Sequence, residues 1–234
     1  MGFPKIVVFT GAGISAESGL GTFRGNMGLW EKYDISEVAS ADAWHKDKEK
    51  VLDFYNMRRR QLEEVEPNQA HYALSRLGNY YDVTVITQNV DDLHEQAGTS
   101  NVVHLHGELK MACSSYDKSH FKNIGTEDIK LGDLAEDGSQ LRPYIVWFGE
   151  SVPMMQKAYE IVEQADHFIV IGTSLMVYPA ASLIFAVPDN AAKYYIDPSD
   201  IDASLSDWNH IKESATSGTP KLVEELIKQS NVDN

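Results

Sequence analysis

The feature that most constrains the fold of this chain is a glycine-rich segment, residues 11–24, which directly follows an apolar run at residues 6–10. A short apolar run bounded by glycine is typical of a strand buried in a parallel sheet. Glycines at positions 11 and 13 would allow the backbone to approach a pyrophosphate, and a helix starting there would offer free N–H groups. Because Gly-x-Gly also occurs in tight strand-to-helix turns that bind nothing, the pattern alone leaves both interpretations open.

Composition narrows the class of protein. A chain of 234 residues with 43% apolar residues suits one large α/β domain with an appended lobe. The formal charge of −15 argues against general affinity for nucleic acid or anionic membranes. The single cysteine, Cys113, excludes an internal disulfide and fits a reducing compartment. No apolar run approaches the ~20 residues that span a bilayer, and no leader precedes the first strand, so we expect a cytoplasmic protein.

Predicted strands and helices alternate along most of the chain. Further strands are predicted at residues 82–87, 102–105, 167–173 and 193–196, and helices at residues 154–165, 179–186 and 220–229. This alternation predicts an α/β fold with a Rossmann-like, doubly wound parallel sheet.

Two segments depart from this alternation. Residues 25–70 are mostly helical in pattern, and residues 108–140 are polar, acidic and glycine-containing. We interpret them as two insertions that together build a small second lobe. The Rossmann-like domain then comprises residues 1–24, 71–107 and 141–234.

Polar side chains follow two of the predicted strands. Asn89 and Asp91 come after the strand at residues 82–87, at the edge that faces the ligand crevice in a doubly wound sheet. The same residues could instead form an Asx turn that caps the next helix. His104 and His106 end the following strand, where a histidine could act as a general base or could be structural. Both lie on one strand face, so spacing does not choose between them.

Five motifs occur in a fixed order along the chain. They are Gly-Ala-Gly-Ile-Ser with Thr-Phe-Arg, Thr-Gln-Asn-Val-Asp-x-Leu-His, His-Gly-Glu, Val-Trp-Phe-Gly-Glu, and Gly-Thr-Ser with Val-Tyr-Pro. This series resembles that of the sirtuins, NAD-dependent protein-lysine deacylases, over nearly the whole chain. It is most similar to the bacterial class that includes the desuccinylase-type enzymes. The resemblance implies that an acyl group passes from lysine to ADP-ribose and that nicotinamide is released. The alternatives are an NAD glycohydrolase, a mono-ADP-ribosyltransferase, and an NAD-binding module without catalysis.

The resemblance also implies roles for individual residues. His106, the histidine directly before glycine, matches the catalytic base of the family, and His104 is then structural. A neutral imidazole near its reference pKa of ~6.5 suits activation of a ribose hydroxyl. The NAD site is implied at three groups of positions. The first is the glycine-rich turn and its loop: Gly11, Ala12, Gly13, Ile14, Ser15, Ala16, Glu17, Thr22, Phe23, Arg24 and Trp30. The second lines the nicotinamide pocket: Gln88, Asn89, Val90 and Asp91. The third lies on the adenosine side: Gly172, Thr173, Ser174, Ile196, Asp197 and Ala215.

Two walls for the substrate follow from the same resemblance. One resembles the strand that pairs with the substrate backbone: Val146, Trp147, Phe148, Gly149 and Glu150. Its opposite wall matches Val177 and Tyr178. Acyl-lysine proteins or peptides would therefore bind by strand addition, which demands little of their sequence.

Tyr55 and Arg58 indicate which kind of acyl group the protein removes. Three residues apart, they share a helix face, and a phenol beside a guanidinium can receive a carboxylate. A solvated basic face is the alternative, which we expect for Arg59 and Arg60. The Tyr-x-x-Arg pair matches the family motif for negatively charged acyl groups, and Ala39 matches a small residue that widens the pocket. We therefore expect desuccinylase and demalonylase activity alongside deacetylation.

The chain departs from the family pattern in its small lobe. Many sirtuins hold a structural zinc with two Cys-x-x-Cys pairs, whereas this chain has Cys113 alone. A four-thiolate site cannot form from one cysteine, so we expect no metal. Tyr195 also stands where an asparagine usually helps to bind adenosine. Nothing in the sequence suggests an obligate assembly, and we expect a monomer.

Overall fold

Strands and helices alternate along the part of the chain that the computed structural model describes, residues 3–22, 33–200 and 202–230. The strands are β1 (Lys5–Thr10), β2 (Asp82–Thr87), β3 (Val102–His104), β4 (Gly107–Ser114), β5 (Phe121–Asn123), β6 (Leu141–Ile145), β7 (His167–Ile171), β8 (Ala192–Ile196) and β9 (Asn209–Ile211). The α-helices are α1 (Ile35–Val38), α2 (Ala41–Lys46), α3 (Lys48–Arg60), α4 (Gln69–Leu77), α5 (Leu93–Gln96), α6 (Met155–Val162) and α7 (Ala215–Ser230). The 3-10 helices are Ala12–Ile14, Ala16–Ser18, Gln61–Glu63, Ala180–Ala186 and Ala203–Leu205. The predicted NAD contacts Phe23, Arg24 and Trp30 lie outside the described residues.

The main sheet is parallel throughout and has the order β3-β2-β1-β7-β8-β9. The chain builds outward from β1 to β3 and then returns to the other side of β1 for β7, β8 and β9. This order confirms the predicted Rossmann-like, doubly wound sheet. A crevice opens at the carboxyl ends of the strands where the order reverses, here between β1 and β7.

Helices cover both faces of this sheet. On one face, Leu74 of α4 and Leu226 of α7 share an apolar cluster with Val8. On the other face, α6 and the segment Ala180–Ala186, which is a 3-10 helix, cover Phe9 and Phe168. Covering on both sides explains why the two central strands, β1 and β7, contain continuous apolar runs. No helix within the described ranges is long and apolar enough to cross a membrane.

Helix α7 begins five residues earlier than the predicted start at Pro220. Its first turn forms before the proline, where Ser217 and Gly218 donate their N–H groups to the Ser214 carbonyl. Gly218 lowers helix propensity, but a Cβ there would lie 2.7 Å from Ile196 Cγ2 and 3.0 Å from Ile211 Cγ2. Close packing on the sheet therefore requires glycine at this point of the helix.

The small lobe combines α1–α3 with an antiparallel sheet of order β5-β4-β6. Trp44, Leu52 and Phe54 from the helices share an apolar core with Leu109 and Trp147. Its third strand, β6, follows the predicted insertion at residues 108–140. The predicted boundaries of the two domains stay a prediction.

The expectation that Arg59 lies on a solvated face is wrong. Its side chain is fully buried, with Nε donating to the Leu109 carbonyl oxygen at 2.6 Å and Nη1 donating to Asn56 Oδ1 at 2.7 Å. Arg59 thus joins the helical part of the lobe to its sheet. Arg60 is exposed as expected and pairs with Asp128.

A hydrogen-bonded cluster at Ser114 closes the end of the lobe next to Cys113. The Ser114 hydroxyl donates to Asp137 Oδ2 at 2.5 Å and accepts the N–H groups of Tyr116 and Asp117 at 3.0 and 2.9 Å. Across residues 3–22, 33–200 and 202–230, no group of three or more His, Cys, Asp or Glu side chains is arranged to hold a metal ion.

His71 makes the stability of the fold sensitive to acid. It lies at the third position of α4, fully buried, and its Nδ1 accepts the Asn68 N–H at 3.2 Å. Burial lowers the pKa of His71 to about 4. Between the unfolded value of ~6.5 and about 4, the unfolded chain binds more protons than the folded chain, so acidification destabilises the fold.

We predict that this histidine contributes about 3 kcal/mol to the fall in unfolding free energy as the pH drops from about 6.5 to about 4. His71→Gln should flatten the pH dependence, because glutamine at this position can keep the capping hydrogen bond and does not titrate. The measurement is urea unfolding across this pH range. His45→Gln, at an exposed position on α2, is the control. Identical pH slopes for His71→Gln and the wild type would contradict the prediction.

Candidate functional site

A cavity of about 600 Å³ lies between the small lobe and the carboxyl edge of the main sheet. Of the predicted site residues, the following line it: Gly11, Ala12, Gly13, Ala16, Glu17, Thr22, Ala39, Tyr55, Arg58, Gln88, Asn89, Val90, His106, Val146, Trp147, Phe148, Gly149, Glu150, Gly172, Thr173, Ser174, Val177, Tyr178, Ile196, Asp197 and Ala215. Three predicted contacts, Ile14, Ser15 and Asp91, are buried behind this lining.

Three glycines form the floor of the cavity. Gly13 donates its N–H to the Gly172 carbonyl oxygen at 2.8 Å, and a Cβ on Gly13 would lie 2.6 Å from Gly172 Cα. Gly172 has a φ of 62°, and a Cβ on Gly11 would meet Thr173 at 2.6 Å. The backbone continues as two 3-10 turns, Ala12–Ile14 and Ala16–Ser18, rather than as the expected α-helix. These glycines, which we call the glycine cradle, let the ends of β1 and β7 pack backbone to backbone, and their main-chain atoms line the cavity.

Asn89 and Asp91 have different roles in the structure. Asn89 lines the cavity, its N–H donates to Thr87 Oγ1 at 3.0 Å, and its Nδ2 donates to Ser15 Oγ at 3.2 Å. Asp91 Oδ1 accepts the Leu93 N–H at 3.3 Å at the start of α5, so the Asx-turn interpretation holds for this residue. Burial raises the pKa of Asp91.

The structure distinguishes His104 from His106, which the spacing along the strand does not. His106 lines the cavity, and its Nδ1 lies 3.0 Å from the Gln88 carbonyl oxygen. A carbonyl only accepts, so Nδ1 carries the proton and Nε2 keeps the lone pair. Burial lowers the pKa of His106, which keeps the ring neutral near pH 7. His104 lies outside the lining.

Tyr55 and Arg58 lie at the lobe end of the cavity and are both buried on α3. Burial raises the pKa of the Tyr55 phenol, which therefore stays protonated, and lowers the pKa of Arg58. Arg58 Nη1 donates to Gln61 Oε1 at 2.9 Å. A protonated phenol and a guanidinium thus meet in a water-poor pocket, which is chemistry suited to a carboxylate.

The segment after β6 forms one wall of the cavity. Val146 donates its N–H to the His106 carbonyl oxygen at 2.9 Å, and Phe148 donates to the Ala39 carbonyl oxygen at 3.0 Å. Gly107, next to His106, has a φ of 83° and pairs with Ile145, and a Cβ there would lie 2.0 Å from the Tyr144 carbonyl oxygen. His106 and this wall therefore belong to one backbone ladder.

Sequence reasoning missed two residues that support this wall. Arg142 is buried, stacks 3.3 Å from the Trp147 ring centroid and pairs with Glu150 at 2.8 Å, and Lys118 pairs with Glu150 at 2.8 Å. Burial alone would raise the pKa of Glu150, but these two cations and the Trp147 N–H hold it at about 2. The sequence carries no local signal for these contacts, because Arg142 lies 8 residues from Glu150 and Lys118 lies in a different segment of the lobe.

Tyr195 supports the cavity lining at Thr173. Its hydroxyl donates to the Thr173 carbonyl oxygen at 3.0 Å, while Gln88 Nε2 donates to Thr173 Oγ1 at 3.0 Å. The cavity also includes residues absent from the prediction: Phe54, Leu109, Ile145, Val152, Pro179, Pro198, Ser199 and Ser214. Most of them neighbour predicted residues in sequence.

Comparisons with known proteins agree with this architecture. The Sir2 family model matches residues 11–179. The chain is 50% identical over 229 residues to a Bacteroides thetaiotaomicron protein named NAD-dependent protein deacylase, covering 95% of this chain and 98% of that one. It is 53% identical over 228 residues to a Helicobacter pylori protein of the same name, covering 97% and 99%.

Solved structures give the same result. A mutant Sir2 homologue in complex with ADP-ribose superposes with a TM-score of 0.89 at 38% identity, covering 97% of this chain and 94% of that one. A Sir2 homologue in complex with NAD superposes with a TM-score of 0.86 at 39% identity, covering 97% and 90%. These findings confirm the resemblance that the five motifs indicated. The chain belongs to the Sir2 family.

Proposed function

We propose that this protein is an NAD-dependent protein-lysine deacylase that removes succinyl and malonyl groups as well as acetyl groups. The observation that carries the proposal is one cavity that brings together the glycine cradle, the neutral His106 and the Tyr55–Arg58 pair. Each of these three parts suits a different portion of the reaction.

The glycine cradle fits NAD because its glycines line the cavity with main-chain atoms, which a pyrophosphate can approach closely. The turn at residues 11–13 would hold the pyrophosphate, and Asn89 would face the nicotinamide. Thr173, Asp197 and Ala215 would hold the adenosine side. NAD supplies the ADP-ribose that accepts the acyl group as nicotinamide leaves.

His106 acts as the base in this proposal. Its Nδ1 is fixed by the Gln88 carbonyl, so Nε2 is the nitrogen available to take a proton from a ribose hydroxyl. The lowered pKa keeps this nitrogen unprotonated at physiological pH.

Tyr55 and Arg58 receive the distal carboxylate of an acidic acyl group. The buried setting strengthens a charge-assisted hydrogen bond, because water does not compete for the guanidinium. Ala39 leaves room for the longer acyl chain.

The acyl-lysine segment lies between the wall at residues 146–150 and the opposite wall at Val177 and Tyr178, bound as an added strand. We also propose that the protein acts as a monomer in the cytoplasm, where its single cysteine would stay reduced. The lobe made of residues 25–70 and 108–140 would supply the acyl pocket, and the larger domain would supply the NAD site.

The proposal is tested by incubating the protein with NAD and a succinyl-lysine peptide and following both by mass spectrometry. Free lysine together with succinylated ADP-ribose is the expected result. Loss of NAD with an unchanged peptide would indicate a glycohydrolase or transferase instead. No change in either molecule would indicate a non-catalytic NAD-binding module.

We predict that His106→Tyr abolishes turnover of succinyl, malonyl and acetyl peptides, because phenol does not replace the imidazole as a base near pH 7. The thermal unfolding temperature should stay close to that of the wild type. His120→Tyr, at an imidazole 49% exposed on the small lobe, is the control and should keep activity. Residual turnover in His106→Tyr would assign the base to another group.

We predict that Arg58→Met lowers kcat/KM for a succinyl peptide by about 1.5–3 kcal/mol, or roughly 10- to 150-fold, and affects an acetyl peptide far less. Only the succinyl group has a carboxylate to pair with Arg58. Arg60→Met, at an exposed arginine on the same helix, is the matched control. Equal losses for both substrates would show that Arg58 serves the fold or the NAD site.

A further inference from the structure

His104 has an unusual pair of hydrogen bonds for a histidine outside the cavity lining. Its Nδ1 lies 3.1 Å from the Asn89 carbonyl oxygen, and its Nε2 lies 2.8 Å from Glu95 Oε1. The side chain is only 8% exposed. Both partners are acceptors.

This geometry defines the protonation state of the ring. A neutral imidazole has one N–H and could satisfy only one of the two acceptors, whereas an imidazolium satisfies both. Burial alone would lower the pKa of His104, but the Glu95 carboxylate, the Glu108 carboxylate and the Asn89 carbonyl outweigh it and raise that pKa. Asp91 and the neutral His94 also face the ring. The surrounding charge is therefore negative, which favours the imidazolium.

Asn89, whose carbonyl oxygen bonds to His104, is part of the proposed nicotinamide pocket. Asn89 lines the cavity and is fixed by its N–H to Thr87 Oγ1 at 3.0 Å and by its Nδ2 to Ser15 Oγ at 3.2 Å. The bond from His104 fixes its carbonyl. The preceding carbonyl, that of Gln88, receives His106 Nδ1 at 3.0 Å. Two imidazoles from one strand end are thus attached to consecutive carbonyls.

We propose that His104 is a positioning residue that acts as an imidazolium, holding Asn89 toward the nicotinamide and keeping the carbonyl that orients His106 in place. This inference rests on the proposed deacylase function. It assigns His104 a role in the reaction without contact with either substrate.

An imidazolium at position 104 makes the activity depend on alkaline pH, which a neutral structural histidine would not do. Above the pKa of His104 the ring loses one N–H, so either Asn89 or Glu95 loses its bond. Activity should then fall at alkaline pH, while protonation of His106 accounts for the fall at acid pH. Removal of the Glu95 charge should shift the alkaline fall to lower pH.

The first experiment reads the ring directly, by NMR of the full-length protein with ¹⁵N-labelled histidine, with His104→Gln used for assignment. We expect both His104 nitrogens to be protonated near neutral pH and to titrate above ~6.5. Glu95→Gln should lower this pKa by about one unit or more. A His104 ring that is neutral at pH 6.5 in the wild type would overturn the proposal.

The second experiment measures kcat/KM for NAD against pH with a succinyl peptide. Glu95→Gln should move the alkaline limb to lower pH, and Glu63→Gln, an exposed carboxylate, should leave it unchanged. His104→Gln should lower kcat/KM about tenfold at neutral pH, because one charge-assisted bond is lost, and should remove that limb.

The outcomes separate this inference from the proposed function. A wild type without deacylation would refute the function, while the NMR titration would still report on His104. An active wild type whose alkaline limb is unmoved in Glu95→Gln would refute the positioning role. If His104→Gln lowers kcat/KM equally at every pH and also lowers the unfolding temperature, His104 only supports the fold.

Discussion

The hydrogen bond from Gly13 to Gly172 is the contact on which the site depends. It joins the end of β1 to the end of β7 at the point where the strand order reverses. A Cβ on Gly172 would lie 2.5 Å from Ile14 N, so no other residue permits this approach. Because two backbones meet there without side chains, the ends of β1 and β7 stay close together and line the cavity with main-chain atoms.

Burial then decides the charge of each group in that crevice. It favours the neutral form of His106 and Tyr55, which suits a base and a hydrogen-bond donor. A buried charge is stabilised by a partner of opposite charge, as in Arg142 with Glu150. Glu95 lies 2.8 Å from the ring of His104, for which we propose the imidazolium form. Burial thus favours a neutral His106, whereas a charged side chain in the same surroundings requires a partner.

The sequence predicted the parts of this structure that depend on local pattern. β2 matches its predicted span, because its run of β-branched residues from Val83 to Ile86 favours a strand. His106 was named from the motif before glycine, and it lines the cavity. Arg59 was misjudged because helix periodicity does not show which polar face a distant segment covers; here Leu109 lies 50 residues away. The Ser114 cluster and the Arg142–Glu150 pair likewise depend on contacts between segments that only the folded chain brings together.

In the function that we propose, the base and the acyl receptor lie on different elements, and this has a consequence for how such a protein can change. His106 is attached to the wall of the cavity through the ladder between Gly107 and Ile145, whereas Tyr55 and Arg58 project from α3. Substitutions on that helix can therefore alter which modification is recognised without displacing the reacting groups. Evolution, or a protein engineer, can therefore change the preferred acyl group in small steps while the acyl-transfer reaction is retained.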